Sequence, residues 1–510
     1  LTTAALLLGV SLIWVLLEAR SPTEEPSVPS AATSDRPVLV VLPLRDLGPE
    51  PEPFVSASLT VEITARLGQM APDRLAVLAP TAAERYRDRE APLSEIASEL
   101  GVDFIIEGSL SRSRDRVRVR ILLVRAGDET LLMSEEVEGG TGDLFALQRA
   151  VADRAAQVLA KEILGLEAAP EAEEEVAPEA YRAFLRGRYF LDQRTSNGLM
   201  RAVESFREAI GIDEGFARAH AGLAQAYALF PSYGLAMPSD TLPVAKEEAE
   251  RALKLSPNLS EAHTALGWVR WTYLGDPEAA ERSFRRATEL NANDATAWQW
   301  QAGPLVAMGH FDEALAAMNL ALERDPLSLV LLTGRGWVSF YARRYDEAAR
   351  YCQEAWDLQP AFAYAWQILA QARAQQGRFD EALNALDRSL ALEDQPAVHL
   401  DRIDIQARSG DREGAEKAMR KLLEDDHRAY LPPFRLALVY ESLGRRQEAL
   451  RWLRTAASEM AYDWGLAAVD PRLDPLRDDP EFSSLKQKGP AQADGESLPG
   501  PAKELEGESP

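Results

Sequence analysis

The chain is 510 residues long and 46% hydrophobic, which suggests about two to four domains with cores of their own. It holds 81 acidic and 56 basic residues, a formal net charge of −25. This balance argues against a protein that wraps nucleic acid, because such binding needs concentrated Lys and Arg to displace the phosphate counterions. The single cysteine, Cys352, excludes an intrachain disulfide and a cysteine-based zinc site.

Residues 1–17 form an uncharged apolar run. As a helix the run would rise about 25 Å, slightly less than the ~30 Å hydrocarbon core, and we interpret it as a transmembrane helix. A cleaved signal peptide is the alternative interpretation. Residues 18–36 are rich in Pro and Ser and predict a flexible linker. The linker holds few basic residues, which favours an extracytoplasmic location for the chain beyond it.

Residues 37–163 predict a small α/β domain. Its first strand is the β-branched run Val38–Leu42, which is typical of a strand buried on both faces. Apolar residues then recur with helical spacing from Ser58 to Gly68. The segment from Arg112 to Arg120 is rich in Arg, and at its end Arg alternates with Val. We therefore expect Val to face a core and Arg to face the solvent. The other strands and helices are predicted at 75–78, 94–100, 103–108, 131–137 and 144–163.

Three segments of this domain resemble the TolB N-terminal-like (FlgO-like) domain. They are VLVVLPLRDLG at 38–48, ELGVDFIIEGSLSRSRDRVRVRILLV at 99–124 and GDLFALQRAVADRAAQVLA at 142–160. Leu44 stands where that family commonly has Phe. In the family this domain typically lies between a transmembrane helix and tetratricopeptide repeats, downstream of a winged-helix, Ser/Thr kinase or adenylyl cyclase domain. The resemblance therefore implies that this chain is the sensory or scaffolding half of a signalling protein. The family has no agreed catalytic residues.

A repeat begins after an acidic stretch, residues 164–177, which predicts a linker. The motif aromatic-Asp-Glu-Ala starts at Phe311, Tyr345 and Phe379, at intervals of 34 residues. Helix pairs with a 34-residue period are the signature of tetratricopeptide repeats. Less regular copies on both sides extend the predicted array over residues 178–488.

The array is expected to form an all-α superhelical solenoid of about eight repeats. The segment 463–482 resembles the closing segment of such signalling chains and is expected to cap the last helix pair, since a solenoid must cover its terminal apolar face. Residues 489–510 lack apolar periodicity and are predicted to be disordered.

No catalytic or cofactor motif is present in the sequence. It lacks a Walker A loop, a Gly-x-Ser-x-Gly elbow, a His-Glu-x-x-His pair and a kinase catalytic loop. His220 and His263 occupy matching positions in successive repeats, and we interpret them as packing or groove residues rather than metal ligands. Cys352 is expected to be a small core residue. We therefore predict a protein that is not an enzyme and holds no cofactor or metal.

The expected binding site is the concave surface lined by the first helix of each repeat, called the groove below. Positions two, five and nine of those helices, and one neighbour, supply polar and aromatic side chains suited to an extended protein or peptide ligand. These candidates are Thr296, Gln299, Trp337, Tyr341, Tyr364, Gln367 and Gln371. One further expectation concerns Pro304, which should make its helix kink or begin late.

Together these features predict a membrane-anchored interaction or sensor module, with a small α/β domain before the solenoid. By resemblance it would be the scaffold of a one-pass bacterial signalling protein, with the output domain upstream of Leu1 and most of the chain periplasmic. Such a chain would bind no nucleic acid itself and is compatible with a homo-oligomer. The alternative is a free-standing, envelope-associated adaptor that assembles protein complexes.

Overall fold

The structure is a computed structural model. It describes residues 36–48, 53–70, 74–87, 91–113, 116–140, 144–165, 176–233, 235–424, 431–458 and 462–488. The predicted transmembrane helix at 1–17 and the predicted disordered tail at 489–510 lie outside these residues, so both stay predictions. Within the described ranges, no helix combines the length and the apolar character needed to cross a membrane.

The N-terminal domain is built on a mixed sheet. Its strands are β1 (Val38–Val41), β2 (Arg45–Asp46), β3 (Ala76–Val77), β4 (Phe104–Ser113), β5 (Arg116–Arg125) and β6 (Thr130–Gly140). The strand order is β3-β1-β4-β5-β6, with β2 beside β4. β1 pairs in parallel with β3 and β4, whereas β4, β5 and β6 form an antiparallel meander.

Helices cover β1 on both sides, as its continuous apolar sequence predicts. The helices of this domain are α1 (Pro53–Met70), α2 (Pro80–Glu84), α3 (Leu93–Leu100) and α4 (Leu144–Leu159). Leu39 and Val41 lie in one core with α1 and α4, while Val40 and Leu42 lie in the other with α2 and α3. The predicted helix 144–163 ends its regular α-helical part at Leu159 and continues as a π turn.

The Arg-Val alternation on β5 places its side chains as predicted. Val117 and Val119 are buried, and Arg116 and Arg118 are exposed. The arginines meet acids of β6 across the ladder, with 3.1 Å between Arg116 Nη1 and Glu138 Oε2. Since cross-strand pairs of opposite charge stabilise a sheet, this face is a neutralised, solvated surface and not a bare basic patch.

Sixteen further helices among the described residues form eight consecutive pairs. They are α5 (Pro178–Asp192), α6 (Ser196–Ile212), α7 (Ala217–Leu229), α8 (Pro238–Leu255), α9 (Ser260–Thr272), α10 (Pro277–Leu290), α11 (Ala295–Ala307), α12 (Phe311–Arg324), α13 (Leu329–Tyr341), α14 (Tyr345–Leu358), α15 (Ala363–Gln375), α16 (Phe379–Leu392), α17 (Pro396–Arg408), α18 (Arg412–Glu424), α19 (Pro433–Ser442) and α20 (Arg446–Ser458). The odd-numbered helices are the first helices of the pairs. A last helix, α21 (Pro480–Lys488), follows.

Close approach within the pairs depends on small residues. A Cβ on Gly187 or on Gly222 would lie 2.6 Å from the ring of Phe206. The first helices α5 and α7 therefore both pack directly against this aromatic side chain of α6. The pair turns need left-handed backbone, which Gly309 and Gly377 adopt at φ +79° and +73°. Glycine at these two positions therefore meets the geometry that the turns require.

Helix α11 answers one part of the expectation for Pro304, the late start. The helix does not begin late: it starts at Ala295 and contains Pro304 near its C-terminal end. The physical reason is a strong N-cap, because the Asp294 carboxylate accepts the backbone N–H groups of Thr296 and Ala297 at 2.9 and 3.1 Å.

The α/β domain packs against the edge of the solenoid where one repeat passes to the next. Asn293 Nδ2 donates to the carbonyl oxygens of Gly68 and Leu75 at 2.9 and 3.2 Å. The Ala79 N–H donates to the Arg324 carbonyl at 2.7 Å. These bonds use backbone groups of the α/β domain. The position of this domain therefore depends on the main-chain path of the domain and of the solenoid.

The chain closes in two parts. Helix α21 packs on α20, with 2.9 Å between Arg446 Nε and Asp479 Oδ2, as expected for a cap. The preceding residues 462–476, here the C-terminal strap, form two 3₁₀ turns, Tyr462–Leu466 and Pro471–Leu476. The first of these turns contacts α9 and α11, four to five pairs back along the solenoid. The strap therefore runs along the first helices.

Candidate partner-binding groove

The predicted groove residues lie on three successive first helices, α11, α13 and α15. Local capping aligns these helices. Asp294 caps α11, and the Ser328 hydroxyl accepts the Leu331 N–H at the start of α13. The structure places the candidates in three different environments, taken in turn below.

On α11, an arginine of the first repeat, Arg194, contacts the groove candidate Thr296. Thr296 Oγ1 accepts a hydrogen bond of 3.4 Å from Arg194, whose guanidinium also lies 5.7 Å from the centre of the Trp300 ring. Gln299 is half-buried nearby. Since Arg194 belongs to the turn between α5 and α6, repeats one and four approach each other, and the superhelix is tightly wound here.

On α13, Trp337 and Tyr341 are brought together. Their ring centres are 4.9 Å apart in an edge-to-face arrangement. Tyr341 is only 3% exposed, whereas Trp337 keeps part of its surface. Arg472 of the C-terminal strap lies near Tyr341 and the adjacent Phe340, so the strap occupies the groove beside this end of α13.

On α15, the three candidates diverge. Tyr364 is 42% exposed, and Gln371 is buried. Gln367 Nε2 donates to Ser389 Oγ at 3.2 Å, on the second helix of its own pair. Of this helix's candidates, Tyr364 therefore presents the most surface to a partner.

Arg472 is a groove residue that sequence reasoning missed. Its side chain is 5% exposed, and its Nη2 lies 2.6 Å from Asp470 Oδ2. The guanidinium also lies 5.8 and 5.9 Å from the ring centres of Phe340 and Phe434, on α13 and α19. Burial lowers the pKa of this group, but the Asp470 carboxylate outweighs burial and holds the pKa well above its usual range.

Arg343 anchors the strap from the other side. Its Nη1 and Nη2 lie 2.6 and 2.7 Å from the two carboxylate oxygens of Asp474, 131 residues away. Hydrogen bonding to Arg343 is the largest influence on Asp474 and holds the pKa of this carboxyl below its usual value. Arg343 has φ +61° at the turn position that Gly309 and Gly377 occupy one period earlier and later. An arginine in place of that glycine was the available sequence signal.

The buried nucleophile and histidines have structural partners. Cys352 is buried on α14 beside Gly336, and burial raises the pKa of its thiol. His220 Nδ1 lies 2.5 Å from Glu248, and His263 Nε2 lies 3.0 Å from the Pro257 carbonyl. Throughout the part of the chain that the structure describes, no three His, Cys, Asp or Glu side chains are grouped to hold a metal ion.

Comparison with known families identifies the repeats. Tetratricopeptide repeat models match residues 273–328, 304–358 and 339–403. Residues 273–403 of the array are tetratricopeptide repeats. The α/β domain is similar to a different family model, the second domain of HilA/YgeH-like transcriptional regulators, over residues 35–154. The predicted likeness to the TolB N-terminal domain stays a prediction.

Two curated relatives align with long segments of this chain. The transcriptional regulator HilA of Salmonella typhimurium is 25% identical over 334 residues, 62% of this chain and 58% of HilA. Putative adenylate cyclase 3 of Rhizobium meliloti is 28% identical over 259 residues, 49% of this chain and 44% of that protein. The chain therefore spans about half the length of these relatives.

Solved structures with similar helical pairs include YrrB, a tetratricopeptide repeat protein with an unusual peptide-binding site. It is 26% identical and covers 38% of this chain and 92% of its own, with a TM-score of 0.26. A monomeric IFIT1 mutant with m7Gppp-AAAA is 15% identical and covers 60% and 75%, with a TM-score of 0.41. These TM-scores are low, so the ligands of those proteins remain theirs alone.

Proposed function

We propose that this chain is the regulatory, partner-binding part of a larger bacterial signalling protein. The tetratricopeptide repeat solenoid is a protein-interaction scaffold. The proposal adds the kind of protein to which this scaffold belongs, a signalling protein. One observation carries it: an α/β domain similar to the second domain of HilA-like regulators is joined to the solenoid by hydrogen bonds at Asn293 and Arg324. A transcriptional regulator is similar to 62% of this chain and a protein named as a cyclase to 49% of it, as one regulatory module beside different outputs would require.

The interdomain contact supports a way of transmitting a signal. Asn293 and Asp294 are neighbours in one turn: Asn293 holds the α/β domain, and Asp294 caps α11, which carries Thr296 of the groove. A partner that moves α11 therefore also acts on the bonds to the α/β domain. Coupling of this kind needs a contiguous contact with two arrangements, and this turn supplies the contact.

Anchoring and location belong to the same proposal. The uncharged run at residues 1–17 would hold the chain in the membrane, with the solenoid outside the cytoplasm. A reporter enzyme that works only in the cytoplasm, fused after residue 488, should be inactive in cells. Reporter activity would place the solenoid in the cytoplasm and contradict this topology.

The acidic composition supports the remaining parts of the proposal. With a net charge of −25, the chain is expected to bind no nucleic acid itself and to work through protein or peptide ligands without catalysis of its own. Self-association is compatible with this role.

The size of the native protein tests the proposal. An antibody raised against residues 178–488 should detect a cellular protein well above 56.2 kDa, the mass of this chain. The in-frame coding sequence before Leu1 should encode a winged-helix, kinase or cyclase domain. A cellular protein of about the mass of this chain, with a start codon at Leu1, would favour the free-standing envelope adaptor.

A further inference from the structure

The C-terminal strap is attached to the solenoid as a bound peptide would be. Its backbone hydrogen bonds between described residues stay local, as from Ala467 to Trp464, from Asp470 to Leu466 and from Leu473 to Asp470. Contacts with the first helices are made by side chains instead. Because no backbone-to-backbone bond joins the strap to a helix of the groove among the described residues, the strap can leave and return without breaking a helix or a sheet ladder.

Three side-chain anchors hold the strap in the groove. Leu466 is fully buried in the same core as Trp271 of α9. Arg472 lies between the rings of Phe340 and Phe434, and Asp474 binds the guanidinium of Arg343.

These anchors form a short pattern: an apolar residue, an arginine six positions later and an aspartate two positions after that. Alternating apolar and charged anchors of this kind specify an extended peptide by its side chains.

We propose that the strap is a built-in ligand of the groove. The partner is then a protein segment with the same three anchors, which must displace the strap to bind. This inference rests on the proposed function, because it names the partner that the scaffold would take. The strap would keep the groove closed until such a segment is abundant enough to compete, as for any intramolecular ligand with a high effective concentration.

The cap helix has contacts of its own with the last repeat, separate from those of the strap. Helix α21 is held on α20 separately, by Arg446 with Asp479 and by Arg454 with Glu481. Leu476 and Phe482 also pack in the core of the last repeats, apart from the core that holds Leu466. Ala467 and Leu473 of the strap pack in that same core, so opening of the strap exposes part of it, while Leu476 and helix α21 stay attached.

A competition experiment with the full chain tests the proposal. The probe is a fluorescent synthetic peptide with the sequence of residues 462–476, YDWGLAAVDPRLDPL. The unaltered chain should bind it weakly. The Asp474→Ala chain, whose own strap lacks one anchor, should bind it at least about tenfold more tightly, and a second change, Arg343→Ala, should remove that gain.

A peptide with alanine in place of its last aspartate, the counterpart of Asp474, is the matched control and should show no gain. Equal binding by all three chains would overturn the proposal. Dimers formed by Asp474→Ala would also overturn it, because the occupant would then be the strap of a second copy.

Hydrogen exchange on the unaltered chain supplies an independent readout. Amides of residues 464–474 should exchange faster than those in the middle of α13, because the strap opens without unfolding the solenoid. Equal protection would make the strap a permanent part of the core and refute the proposal. Neither result depends on what is encoded upstream of Leu1, so the two proposals fail separately.

Discussion

Two arginines stand in left-handed backbone where this repeat otherwise prefers glycine. Arg194 has φ +50° and Arg343 has φ +61°. A non-glycine residue in this region costs roughly 1–2 kcal/mol, so a compensating interaction is expected. Both side chains supply one, to Thr296 and to Asp474, more than 100 residues away in sequence. The departures from the repeat therefore mark the positions that close the superhelix on itself.

Asp325 is the residue most sensitive to pH at the domain contact. Its carboxylate accepts a hydrogen bond from Thr81 of the α/β domain, while Oδ1 has no partner among the described atoms. Burial raises the pKa of Asp325 from 3.8 to about 7, against the lowering effect of Thr81 and Ser328.

We predict that Asp325→Asn flattens part of the pH dependence of stability. The pKa is higher in the folded chain than in the unfolded chain, so the contribution of Asp325 is complete below about pH 4 and is lost as the pH rises through 7. Urea unfolding at pH 5 and pH 8 should show that Asp325→Asn loses less free energy of unfolding between the two pH values than the unaltered chain does, by at most about 3 kcal/mol.

The exposed Asp312→Asn is the control for this measurement and should leave the pH dependence unchanged. Asp294 and Asp404, whose pKa values burial raises to about 6, act in every variant and cancel in the comparison. An unchanged profile for Asp325→Asn would show that Asp325 is ionised in the folded chain.

At the scale of the helices, packing depends on glycines that face aromatic rings. Gly222 of α7 lies against Phe206, and Gly267 of α9 lies against Phe284, where an added Cβ would come within 2.9 Å of the ring. In a close-packed interior neither ring has room to move away.

We predict that Gly222→Ala destabilises the solenoid by about 1–3 kcal/mol, because the methyl group would overlap the Phe206 ring. Gly211→Ala is the matched control: Gly211 lies in helix α6 with no atom within 4 Å of an added Cβ. Alanine there should stabilise by about 0.5–1 kcal/mol, because it favours the helix. Thermal unfolding of both variants measures the contrast, and equal stabilities would contradict the packing argument.

At the scale of the whole molecule, two contacts turn a row of helix pairs into a closed body. The α/β domain is bonded to the turns after α10 and α12, and the C-terminal strap joins the last repeats to the third, fourth and fifth. Repeat arrays are normally held by neighbouring contacts alone. These long-range contacts should make this solenoid stiffer than an open one.

We predict that Asn293→Ala loosens the α/β domain. The change removes the donor that satisfies the Gly68 and Leu75 carbonyl oxygens, a loss of about 1–3 kcal/mol. Hydrogen exchange in α1 should accelerate about tenfold, while exchange in α15 should not change.

Asn258→Ala is its control. Asn258 lies in the equivalent turn after α8 and binds Arg286 of the solenoid instead. It should leave exchange in α1 unaffected. Equal acceleration by both changes would mean that Asn293 acts through the solenoid and not through the domain contact.

The sequence by itself determined the local architecture of this protein. The 34-residue period, the turn glycines and the apolar run of β1 are signals between near neighbours, and they predicted the tetratricopeptide repeats and the doubly covered strand. The helical turn also predicted that the candidates Trp337 and Tyr341 lie together, because the two residues are one turn apart on the same helix.

Only the tertiary structure decided what fills the groove and where the α/β domain sits. The pairs Arg343 with Asp474 and Asn293 with Gly68 join residues 131 and 225 positions apart. Contacts at such separations leave no periodic pattern, since each is made once. They depend on how the superhelix winds, which is the sum of small rotations at every repeat and is set by packing rather than by local sequence.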